Sequence, residues 1–213
     1  MIKSEREKKN QGPMAEPGQD LVVMGPIGQL GTRALIQARW DMLRQWFSRS
    51  YLQEISEHQE PDHQSILRHL EGWGATGVLE VGEGGILKAI WDLTGACRAG
   101  ASFSLERIPV RQEVIEICER CGGNPYRLYC GNCLVAVAWR GEALAERCGK
   151  AGIMAAVIGQ IRPGIAREIC HGEETGYLER PTEDELCRIL GRDLTACLAD
   201  LEKMTGRKTK EQI

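Results

Sequence analysis

The order strand, glycine turn, helix constrains this chain more than any other feature. It is set by Leu21-Val22-Val23-Met24, then Gly25-Pro26-Ile27-Gly28-Gln29-Leu30-Gly31-Thr32, then helical spacing. The apolar run is strand-length, and Ala34, Leu35, Ala38, Met42 and Leu43 fall near one face of a helix expected over about 32–47. The same order returns with the strand Gly77–Val81, the turn Gly82-Glu83-Gly84-Gly85 and a helix-like stretch from Ile86 to Leu93. Alternation of this kind demands a sheet with helices packed on it, because neither element buries its apolar side alone.

The remaining segments fit that scheme. Ser102–Leu105 reads as a strand, Pro109 precedes a helix through Cys118, and Leu134–Ala138 is a second clear strand. A helix over 142–151 is followed by a strand over 153–158. Pro181-Thr182-Glu183-Asp184-Glu185 opens a last helix, with Thr182 expected as its cap and Glu185 completing a capping box. Residues 48–70 are polar and hold His58, His63 and His69, whose spacing puts them on no common helical face; they are expected to be satisfied or solvent-facing. A short helix is expected over 66–73. The expected organisation is a leader over 1–17 without stable structure, an α/β domain over 18–180, and a helical extension with a charged tail over 181–213.

Composition excludes several classes. Of 213 residues 42% are hydrophobic and net charge is −3, which gives no electrostatic case for nucleic acid or an anionic membrane. No window approaches the roughly 18 apolar residues that a membrane span needs, and the charged amino terminus is no secretory signal. A cytoplasmic protein is expected. Nine cysteines, an odd count, then point to reduced thiols rather than a disulfide framework.

Several segments in order carry a resemblance. They are Pro17–Val23, Gly28–Thr32, Gly82–Ile86, Ile108–Glu113, Ile117-Cys118-Glu119, Asn124-Pro125-Tyr126, Ala155–Gly159 and Glu179-Arg180-Pro181. Together they resemble the carboxy-terminal domain shared by aminoimidazole ribonucleotide (AIR) synthetase, selenophosphate synthetase, thiamine-monophosphate kinase and the hydrogenase maturation dehydratase. The resemblance is nearest to the hydrogenase maturation factor or AIR synthase-related branch. It implies a layered α/β (α+β) sheet with packed helices. It also implies that ATP and magnesium belong mainly to an amino-terminal domain, which the 17 residues before the first strand do not supply.

The family pattern is altered at two places. A His-Asp-Val-Thr-like strand end is replaced by Leu79-Glu80-Val81-Gly82, and a Ser-Ser-Gly-like segment by Tyr129-Cys130-Gly131-Asn132-Cys133. Phosphate binding, if retained, falls to Gly28, Gly31 and Thr32 and to Glu83, Gly84 and Gly85, where helix N–H groups would face an anion. Either glycine cluster is equally an ordinary tight turn. Cys118, Cys121, Cys130 and Cys133 form C-x2-C-x8-C-x2-C, a spacing that suits tetrahedral zinc. Packed thiols and a redox pair remain open readings of the same four residues, and metal analysis of the reduced chain separates them.

Three functions compete. The first is a non-catalytic domain or subunit that binds itself, as a homo-oligomer, or a separately encoded amino-terminal-domain protein. The second is the substrate-binding subunit of a split synthetase or dehydratase that uses Mg-ATP. The third is a zinc-stabilised adaptor. No acidic metal cluster is recognisable, so independent catalysis is not expected.

Overall fold

The computed structural model describes residues 15–58, 63–199 and 201. The expected leader lies almost wholly outside these residues, as does most of the charged tail. One mixed sheet of seven strands organises the chain: β1 (Asp20–Met24), β2 (Ala75–Val81), β3 (Gly100–Phe103), β4 (Cys133–Ala138), β5 (Ala155–Arg162), β6 (Arg167–His171) and β7 (Glu174–Tyr177). Their spatial order is β2-β4-β1-β5-β3-β6-β7, with β3 and β6 parallel and the other neighbours antiparallel. The order explains why Leu134–Ala138 reads as an unbroken apolar run. β4 lies between β2 and β1 and is buried on both faces.

The named helices are α1 (Gln29–Ala38), α2 (Trp40–Leu43), α3 (Arg49–Glu57), α4 (Gln64–Leu70), α5 (Gly85–Ala96), α6 (Gln112–Cys121), α7 (Gly141–Lys150) and α8 (Glu185–Leu190). A further helical stretch covers 194–199. α5 buries Ile86, Leu87, Ala89, Ile90 and Leu93 on one sheet face, against Val135, Val137 and Phe103. α4 and α7 cover the other face, where Ile66, Leu70, Leu144 and Cys148 meet Val22, Met24 and Leu134. A third cluster joins α1, α3 and α6 to the carboxy-terminal segment through Leu35, Leu52, Val114, Ile117 and Leu186. The layered α/β expectation holds.

Local departures have local causes. The helix expected over 32–47 is interrupted at Arg39, whose φ of −120° and ψ of 24° divide α1 from α2. α3 lies within a stretch read only as polar; it needs just Leu52 and Ile55 as buried anchors, and Ser48 Oγ caps it by accepting from Tyr51 N–H at 3.2 Å. β6 and β7 had no alternating signal to betray them. Every residue of β7 is exposed, and the hairpin is held by backbone pairing to β3. The cap of α8 is Asp184 rather than Thr182, since the Asp184 carboxylate accepts from Leu186 N–H at 2.8 Å.

Candidate functional site

Both glycine junctions close on one segment, the connector running from Pro125 to Gly131. Gly31 abuts it directly. A Cβ there would lie 2.5 Å from Leu128 Cγ and 2.7 Å from the Tyr129 carbonyl oxygen, which already accepts the Gly31 N–H at 3.1 Å. The Gly28 N–H, at the entry to α1, donates to Cys130 Sγ at 3.1 Å. Thr32 is fully buried, and its hydroxyl has no hydrogen-bond partner among the described residues. The second junction meets the connector from the other side. Gly85 has φ +65°, and a Cβ on it would stand 2.6 Å from Tyr126 O and 2.8 Å from Leu128 O. Its own N–H is bonded to Gly82 O at 3.2 Å, and Cys130 and Gly131 return N–H bonds to Gly82 O and Val81 O. Missing side chains here let backbones approach, which is the structural use of glycine.

The amino-terminal turn of α5 is capped from within the chain. Asp184, 1% exposed, accepts from Gly84 N–H at 2.5 Å through Oδ2 and from Tyr129 N–H at 3.3 Å through Oδ1. With the bond from Leu186 the carboxylate therefore ties three segments. Burial pushes the Asp184 carboxyl up from its ordinary value, the three N–H bonds pull it down, and Glu83 adds to the push. Glu83 itself is exposed. Asp184 escaped the sequence reading, although an acidic residue directly before a helix is a common cap.

The four clustered cysteines part company. Cys118 sits in the α1–α6 cluster with Cys121 half-buried beside it, whereas Cys130 and Cys133 belong to the core under α5. Cys133 donates its S–H to Gly25 O at 3.3 Å. Among the described residues no three His, Cys, Asp or Glu side chains gather as a metal ion would require. Burial pushes the Cys118 and Cys130 thiols up to about 12 and holds Cys133 well above its usual range. His63 is buried, with Nε2 3.9 Å from Glu80 Oε1, and His69 stacks on Trp73. A cavity of about 580 Å³ opens elsewhere, on the sheet face away from α5; Asp20, Ser102, Gln160 and Arg162 line it and none of the candidates does.

One expectation follows from the Cys130 thiol. Its folded-state value near 12 exceeds the ordinary 9.0, so its contribution to stability is whole below pH 9.0 and is lost as pH climbs toward about 12. Thermal melts across that window should show a shallower decline for Cys130→Ala than for the native chain. Equal slopes would mean that this thiol is not buried as described.

A family model for the AIR synthase related protein, C-terminal domain, matches residues 16–168. The chain is a member of that family. E. coli HypE, a hydrogenase maturation protein, has the same fold with a TM-score of 0.63 at 20% identity, over 83% of this chain and 54% of that one. Thiamine-monophosphate kinase from Stenotrophomonas maltophilia K279a gives 0.60 at 14% identity, over 76% and 54%. HypE in its complex with HypF gives 0.56 at 18% identity, over 79% and 55%. This AIR synthase related chain thus spans about half the length of the structures it matches. No curated protein matches it. The family expected from Pro17–Val23 onward is confirmed, and so is the fold that the resemblance implied. No helix among the described residues is long and apolar enough to cross a membrane.

Proposed function

We propose that this chain is a binding member of its family, associating with a second copy or with a separately encoded partner, and that it does not carry out phosphoryl transfer by itself. One observation supports this above the others. The Gly84 and Tyr129 N–H groups, which a phosphate would have to use, already hold the carboxylate of Asp184. The other glycine junction is likewise engaged, with Gly28 on Cys130 and Gly31 on Tyr129. Phosphoryl transfer depends on charge neutralisation and positioning around the phosphates, and a site already holding a carboxylate opposes both. A relative, HypE, forms a complex with HypF, which accords with a partner-binding role. We place the chain in the cytoplasm.

Calorimetric titration of the reduced full chain with Mg-ATP should give no saturable heat. Light scattering or co-purification with an amino-terminal-domain protein should show a stable assembly. Saturable heat accompanied by ADP release would sink the proposal and favour the split-synthetase reading.

A further inference from the structure

The two edges of the sheet are finished differently. At one end β2 is guarded: its register slips between Ala75 and Gly77, and Glu80, beside His63, puts a charge on the strand. At the other end β7 pairs with β6 in unbroken register, and no strand lies beyond it among the described residues. It holds no proline or lysine, and Glu174 is its one charge. Every residue of it is exposed. An edge left in this state is a template for a further strand.

Two bonds fix which backbone groups of the hairpin face outward. Leu178 N–H donates to Arg167 O at 2.8 Å, and Ala101 N–H donates to Ala166 O at 2.9 Å. In an antiparallel ladder, residues alternate between pointing at the partner strand and pointing away. Gly176 and Glu174 therefore bond inward, as Leu178 does, to Ile169 and His171. The N–H and C=O groups of Thr175 and Tyr177 point off the sheet, and none of them has a partner among the described residues. Apolar surface collects at the same place. Ile165 at 77% and Tyr177 at 67% are the most exposed of the large hydrophobics, and both lie where Arg167 meets Leu178.

We infer that β7 is a seam between two copies of this chain, joined antiparallel about a two-fold axis at Gly176. Thr175 of each copy then lies opposite Tyr177 of the other, and each such pair exchanges both of its backbone bonds. Their side chains share one face as an aromatic and β-branched pair, a favourable cross-strand combination. The pattern is self-complementary, as a two-fold interface demands. Charge selects the antiparallel sense. A parallel, in-register pairing would set Glu174 against Glu174. The two-fold sets it against Leu178 and turns Glu173 and Glu174 toward Arg180 of the other copy. None of these three charges has an ion pair among the described residues, although Glu179 beside Arg180 subtracts from the attraction. The seam is short, so association depends on concentration and is not obligate. This rests on the proposed function in its self-associating form and names the surface that serves it.

Sedimentation of the full, reduced chain should show monomers giving way to dimers as concentration rises. Thr175→Pro removes an outward N–H and leaves the ladder to β6 whole, at the kind of position where an edge strand tolerates proline. It should fold as the native chain does and weaken dimerisation by about tenfold or more. Gly176→Cys reads the axis. A Cβ there meets nothing nearer than Ile169 O at 4.0 Å. Across the seam the two Cα atoms would stand about 4.5 Å apart, within disulfide reach. Oxidised glutathione should therefore cross-link this variant into a dimer and leave the native chain uncrosslinked. Should Thr175→Pro fail to fold, amide exchange of the native chain decides. Thr175 and Tyr177 should slow as concentration rises, while Gly176 and Leu178 stay slow throughout. A monomer at every concentration, a dimer that Thr175→Pro leaves unchanged, exchange that ignores concentration, or no cross-link overturns the seam. A chain that stays monomeric yet binds an amino-terminal-domain protein overturns it and leaves the proposed function standing, whereas Mg-ATP turnover removes that function without touching the dimer.

Discussion

Truncating Asp184 to alanine should lower stability by about 2–4 kcal/mol, because it strands buried N–H groups and removes a helix cap. Gly84 and Tyr129 lose their acceptor in a place where the side chain was 1% exposed. Relief from burying a carboxylate whose value is pushed up offsets part of the loss, which keeps the figure below the sum of three charged hydrogen bonds. For a chain of this size the expected fall in Tm is about 4–16 °C. Thr182→Ala is the control: Thr182 is exposed, and the cap belongs to Asp184. Thermal melts of the two variants decide the matter, and equal small shifts would mean that the carboxylate contributes little to holding the three segments.

Gly85→Ala should be comparably severe, costing about 2–5 kcal/mol from a left-handed backbone together with crowding. The φ of +65° penalises any side chain, and backbone oxygens at 2.6 and 2.8 Å cannot swing aside as a flexible side chain does. Gly122→Ala separates the two causes. Gly122 has φ +68° but nothing within 4 Å of a Cβ, so it carries the backbone penalty alone, about 1–2 kcal/mol. Similar denaturation midpoints for the two variants would show that the connector moves away from Gly85 at little cost.

The legible parts of the fold share a physical character. β1 and β4 announce themselves because central strands need continuous apolar surface, and α6 because Val114, Ile117 and Cys118 recur at helical spacing. α3 and the β6–β7 hairpin were hidden for the opposite reason. Two buried residues suffice for α3, and β7 buries none, so their stability comes from capping and backbone pairing that leave little mark on hydropathy. At the candidate site Gly28, Gly31, Gly84 and Gly85 were identifiable as special backbone positions. What they approach was not, because glycine marks a close contact without naming its partner.

The sequence by itself determined the family, the layered sheet, and the places where the backbone must pass without side chains, since apolar period and glycine demand are local properties. Only the tertiary structure decided what occupies those places. The connector 125–131 fills the space that both glycine junctions leave open, and Cys118 and Cys130 fall into different cores despite their zinc-like spacing. Asp184 comes to rest 100 residues along the chain from the N–H it holds. Contacts of that range follow from how the whole sheet and its helices pack, and no window of sequence contains both partners.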